Sequence, residues 1–152
     1  MKLLKVFLWL VFVLYIAVLI KVILIKYMPI SYLVQNLELG LNHFQMNFVP
    51  FATIINYIVS DTFTVSVQNI LGNIVIFMPF GFLLPILISR FQKFITILLV
   101  SFCFSLTFEI IQLLFPILGS FDVDDLILNT LGALLGFMFF TLIKRLTQRN
   151  SR

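Results

Sequence analysis

Apolar residues in this chain come in four long runs, with polar residues gathered between them. The first run covers residues 3–25 and is interrupted only by Lys5 and Lys21. Three later runs occupy about residues 69–89, 94–115 and 126–143. A helix needs about 20 mostly apolar residues to cross a hydrocarbon core of about 30 Å, so each run predicts a transmembrane helix. The first is expected over about residues 5–26, with Lys21 snorkelling to the interface. It is too long for the apolar part of a secretory leader, and no small-residue cleavage site follows, so it is expected to be retained.

The stretch between the first two runs is irregular. It holds Pro29, Gly40, Asn42, His43, Asn47, Pro50 and Asp61. Residues 48–59 are apolar but too few to span, which suits an interfacial or re-entrant segment. Tyr27, Tyr32 and Tyr57 fit an aromatic belt at headgroup level. Pro79 and Pro85 predict a kink or break in the second span. Pro116 closes the third, and a polar turn at 119–125 leads into the fourth. The expected fold is all-α: one membrane domain over 1–152, about four transmembrane helices and an irregular segment after the first.

Composition supports this pattern. The 152 residues are 62% hydrophobic and 11% charged, against roughly 45–50% and 25% in a soluble domain. The net charge of +4 does not point to nucleic acid, because the basic residues sit at the ends of apolar runs rather than in one patch. The single cysteine, Cys103, lies inside an apolar run and reads as a small packing residue. With the N-terminus inside, four spans place Lys2, Lys5, Arg90, Lys93, Lys144, Arg145, Arg149 and Arg152 in the cytoplasm. The Lys/Arg bias sets orientation, so both termini are expected to be cytoplasmic. All six acids then fall toward the outer side: Glu38, Asp61, Glu109, Asp122, Asp124 and Asp125.

Three polar residues fall at one depth. Asn73, Glu109 and Asn129 lie 15, 15 and 14 residues from the cytoplasmic ends of their spans. At 1.5 Å per residue, each is about 22 Å up the core. Polar groups there normally face the bundle interior or a wet cavity. Asn69 with Asn73, Glu109 with Gln112, and Asp122 with Asp125 and Asn129 each form a stripe on one helical face. Asn and Gln in such places also serve as helix–helix glue. The aspartates could instead form a solvated cap on the fourth helix. Gly132 and Gly136 make a G-x-x-x-G step, read as close helix packing. His43 reads as a surface residue.

Four ordered blocks resemble the VanZ-like membrane family. They are Asn47-Phe48-Val49-Pro50-Phe51-Ala52-Thr53-Ile54; Asn69-x-x-Gly72-Asn73 followed by Phe77-Met78-Pro79-Phe80-Gly81; Glu109-Ile110-Ile111-Gln112; and the stretch from Asp122 to Gly132. The family-like core covers about residues 47–143. Ser120 stands in the turn where many members carry an arginine. The resemblance implies a multi-pass protein of the bacterial cell membrane. It also implies a link to resistance against teicoplanin, a lipid-tailed glycopeptide antibiotic, or to cell-envelope homeostasis. It implies nothing about catalysis.

Three functions are weighed. The first is an outward-facing polar site, formed by Asn47, Asn69, Asn73, Glu109, Gln112, Asp122, Asp125 and Asn129, with Pro50 over it. It would bind an amphiphile such as a lipid, a lipid-linked cell-wall precursor or a lipoglycopeptide. The second is an intramembrane enzyme on a lipid-linked substrate, with Glu109 as general acid or base and Asp122 or Asp125 as its partner. The usual parts of nucleophilic catalysis are missing, which favours binding over catalysis. Glu109, Asp122 and Asp125 are residue types that suit a divalent ion, but no metal or cofactor is assigned. The third is a transporter, which ranks last because the inner halves of the spans are almost purely apolar.

Overall fold

The computed structural model describes residues 2–25, 46–59 and 63–150. Tyr27, Tyr32, Glu38, His43 and Asp61 lie outside the described residues. Among the described residues, five α-helices follow in order: α1 (Lys2–Ile25), α2 (Ala52–Val59), α3 (Phe63–Leu87), α4 (Phe94–Leu114) and α5 (Val123–Asn150). Four of them, all but α2, are long and apolar enough to cross a membrane. The all-α membrane fold is as expected.

Helix ends differ from the apolar runs for local reasons. α3 starts at Phe63, before the expected 69, because Thr64, Ser66 and Gln68 continue the helix without a breaker. It then runs unbroken through Pro79 and Pro85, so the expected break does not occur. Neighbouring helices support the groups a proline frees, and α3 packs more extensively against α5 than against any other described helix. α5 runs on past residue 143 through its basic tail to Asn150. Cys103 is exposed on α4 rather than packed inside.

The α3–α5 seam is built on glycine. A Cβ at Gly132 would fall 2.1 Å from the Ile74 carbonyl oxygen, and one at Gly136 would fall 1.9 Å from that of Met78. Gly81 meets the Ala133 carbonyl in the same way. The two backbones touch, and the G-x-x-x-G step is a packing device. Beside the seam sits an aromatic core of Phe77, Phe80, Phe104 and Phe108, with Phe80 and Phe104 stacked 4.9 Å apart.

The bundle has two distinct ends. At one, Gln92 donates to the Pro85 carbonyl (3.0 Å) and Lys144 donates to Gln92 (2.6 Å), tying α5 to the turn between α3 and α4. Arg90 and Lys93 belong to that turn. At the other end, Val22 and Ile23 of α1 meet the start of α5, at Asp122 and Asp125, around one cavity. The start of α1 and the end of α5 therefore share the side opposite that cavity.

Candidate functional site

The first turn of α5 is built on aspartate. Asp122 caps the helix: its carboxylate accepts the Asp124 N–H at 2.8 Å, as an N-cap residue does. Asn47 joins it by a side-chain bond of 2.9 Å. The backbones of Asn47 and Asp122 also form an isolated parallel bridge, with bonds of 2.9 and 3.1 Å to Phe121 and Val123. This pins the 47–51 loop to the start of α5. Asn47 also contacts Thr53 and accepts the Val49 N–H, each at 2.9 Å.

Asp124 points into that junction and is fully buried. It accepts three backbone N–H groups, from Phe51 (2.5 Å), Thr53 (2.8 Å) and Ile54 (3.1 Å). These include free donors at the start of α2, so Asp124 caps a helix other than its own. The reading of this acid as part of a solvated cap is corrected: no water-facing surface remains on it. Phe51 sits here at φ 68°, a left-handed conformation that is an outlier for a bulky residue.

Beside the junction lies a cavity of about 230 Å³. Six of the expected residues line it: Asn73 from α3, Glu109 and Gln112 from α4, and Asp122, Asp125 and Asn129 from α5. Asn47 and Asn69 do not line it; Asn47 holds the loop, and Asn69 sits a turn away on α3. The periodicity did not single out the remaining lining residues: Val22, Ile23, Tyr57, Gly72, Ile76 and Ser120. Gly72 and Ser120 carried only a motif signal and Tyr57 only an aromatic one. The aliphatic residues are indistinguishable in sequence from lipid-facing neighbours.

The polar groups inside are partly satisfied. Glu109 is 1% exposed and accepts the Asp122 N–H at 2.9 Å. The Asn73 amide donates to Asp125. Gln112 reaches across to the Ile23 carbonyl at 3.3 Å, linking α4 to α1. Gly119 packs on Gln112 so closely that a Cβ there would fall 2.6 Å from its amide nitrogen, and its φ of 153° also favours glycine. Asn129 is 3% exposed and donates to Ser105 at 2.9 Å, while its Oδ1 has no partner. Such an orphaned buried acceptor is uncommon.

Three carboxylates line this cavity, and no Lys, Arg or His does so among the described residues. Among the described residues, no group of three or more His, Cys, Asp or Glu side chains is gathered closely enough to hold a metal ion. Val22, Ile23 and Ile76 add apolar surface to the lining. The site is thus a small, acidic recess lined by polar and aliphatic side chains together.

Residues 12–144 match the family described as VanZ/LLP1. The chain is 36% identical over 120 residues to Protein VanZ from Enterococcus faecium, covering 73% of this chain and 70% of that protein. No solved structure matches it.

Proposed function

The chain belongs to the VanZ-like family, and on that premise we propose that it binds the head of a membrane amphiphile in the cavity beside Glu109. Its role would lie in teicoplanin-type glycopeptide resistance or cell-envelope homeostasis in a bacterial cell membrane. One observation carries this reading: polar side chains from three spans share a single recess with the aliphatic side chains Val22, Ile23 and Ile76. A head with a greasy stem matches both surfaces. The recess, at about 230 Å³, is below the roughly 300–1,000 Å³ of pockets that enclose drug-sized ligands. A headgroup or a single substituent fits, and a whole glycopeptide does not.

Orientation is part of the proposal. Arg90, Lys93, Lys144 and Arg145 belong to the end away from the cavity. The Lys/Arg bias puts that end in the cytoplasm and opens the cavity toward the outer leaflet. There it meets lipids, lipid-linked wall precursors and antibiotic acyl tails.

The test compares teicoplanin and vancomycin susceptibility in cells with the protein, without it, and with Glu109→Gln at equal membrane levels. A teicoplanin-selective shift that Glu109→Gln abolishes is expected. No shift for either drug would remove the resistance reading.

A second reading, intramembrane acid–base chemistry on a lipid-linked substrate, draws on one feature. Glu109 shares its recess with Asp122 and Asp125, which supplies paired carboxyl groups. Purified protein that turns over no lipid-linked substrate would remove it.

A further inference from the structure

The end of the bundle away from the cavity carries charge of one sign. Arg90, Lys93, Lys144, Arg145 and Arg149 belong to it. The described acids, Glu109, Asp122, Asp124 and Asp125, all sit at the other end. Among the described residues, therefore, no Asp or Glu neutralises these cations. Lys144 is engaged locally: it donates to Gln92 at 2.6 Å and lies 5.8 Å from the centre of the Phe140 ring. Arg145 instead borders a groove on the surface of α5.

Two grooves run along this part of α5, apolar but for Thr141 and Arg145. One, of about 450 Å³, lies on α5 itself and is bordered by Leu135, Met138, Leu142 and Arg145. The other, of about 440 Å³, lies at the seam with α3 and is bordered by Pro79, Phe82, Gly136 and Ile143. Phe139 borders both. Their length fits one leaflet. Leu135 and Arg145 are ten residues apart, which is about 15 Å of helix, or half of a hydrocarbon core of about 30 Å. Arg145 is 22 residues past Val123, about 33 Å along the axis, so a core entered at Val123 ends just before it. Arg145 thus stands at headgroup level with the grooves among the acyl chains. Orientation asks only for Lys and Arg near the ends of spans. It does not ask for a guanidinium at the mouth of a groove one leaflet deep.

We propose that this face holds one anionic phospholipid of the leaflet at the basic end, with its phosphate on Arg145 and its acyl chains in the two grooves that meet at Phe139. A guanidinium matches a phosphate with two parallel N–H bonds. The surrounding charge selects the head. A choline or ethanolamine cation meets no carboxylate among the described residues at this end, whereas a head of net negative charge meets basic residues only. The site is separate from the cavity beside Glu109 and stands without the amphiphile reading of that cavity.

Native mass spectrometry of the purified full chain in neutral detergent tests this, with dioleoyl phosphatidylglycerol and dioleoyl phosphatidylcholine as probes. Phosphatidylglycerol is expected to bind about fivefold tighter, or better. Arg145→Gln should remove most of that preference. Lys93→Gln takes one charge from the same end without bordering either groove, and should change the affinity by less than about twofold. Both positions are exposed, so both variants are expected to unfold at the wild-type temperature. The two lipids binding within about twofold of each other would overturn the selection for an anionic head. Equal losses in the two variants would replace the site by diffuse surface charge. A dimer that excludes lipid adducts would give this face to a second copy of the chain, and the absence of any adduct would remove the site outright.

Discussion

Asp124 and Asp125 are neighbours in sequence, yet they belong to different parts of the molecule. One step along a helix turns a side chain by about 100°. Asp124 thereby faces the 47–54 loop, where it accepts three backbone N–H groups and is sealed from solvent. Asp125 faces the cavity and meets the Asn73 amide. The difference separates two uses of a buried acid. One kind is saturated by backbone donors and holds the fold. The other lines a space that it shares with polar side chains of α3 and α4.

Substitution should break this pair apart. Asp124→Ala strands three part-buried N–H groups; at about 1 kcal/mol each, the low end for an unmade bond, a loss of about 3 kcal/mol is expected. Asp125→Ala should cost less than about 1 kcal/mol and act on binding instead. Unfolding in mixed micelles measures both. Equal costs would show that the two acids are not divided between fold and site.

The glycine seam ranks next. At Gly136 the obstacle is the Met78 backbone, which cannot swing aside as a side chain would. Gly136→Leu should therefore separate α3 from α5 at a cost of about 2–3 kcal/mol, the upper part of the overpacking range. The same unfolding assay checks it, and a neutral result would mean that the seam is looser than its contacts. Glu109→Gln sharpens the comparison from the cavity side. It keeps the shape and the acceptor for the Asp122 N–H, so stability should change by less than about 1 kcal/mol. The teicoplanin response should nevertheless be lost.

The four spans were legible because lipid demands uninterrupted apolar runs, and few sequences supply them otherwise. Asn73, Glu109, Gln112, Asp125 and Asn129 were legible because polar residues at matched depths on facing helices have few places to point. The place of Asn47, beside the cavity rather than lining it, was less legible for a different reason. Its partner Asp122 lies 75 residues away, and no local pattern says that the loop folds onto α5. Asp124 was obscure on the same grounds, since its three donors lie about 70 residues back along the chain. The prolines of α3 do not break it, because helix breaking is a local rule, while tertiary packing decides the outcome in a bundle.

Gly72 offers the smallest effect on stability and a direct probe of the recess. It lines the cavity and is exposed, and no described atom would lie within 4 Å of a Cβ added there. This contrasts with Gly81, Gly132 and Gly136, where the same addition strikes backbone. Replacing a glycine inside an exposed helical stretch with leucine gains up to about 0.8 kcal/mol of helix propensity. Gly72→Leu should thus be neutral or slightly stabilising, while its isobutyl group occupies space at the cavity edge. Binding of an alkyl-chain probe should weaken even though no polar group has been removed. Measuring unfolding and binding on the same preparation separates the alternatives: weaker binding without lost stability places the ligand in this recess, whereas unchanged binding places it elsewhere on the bundle.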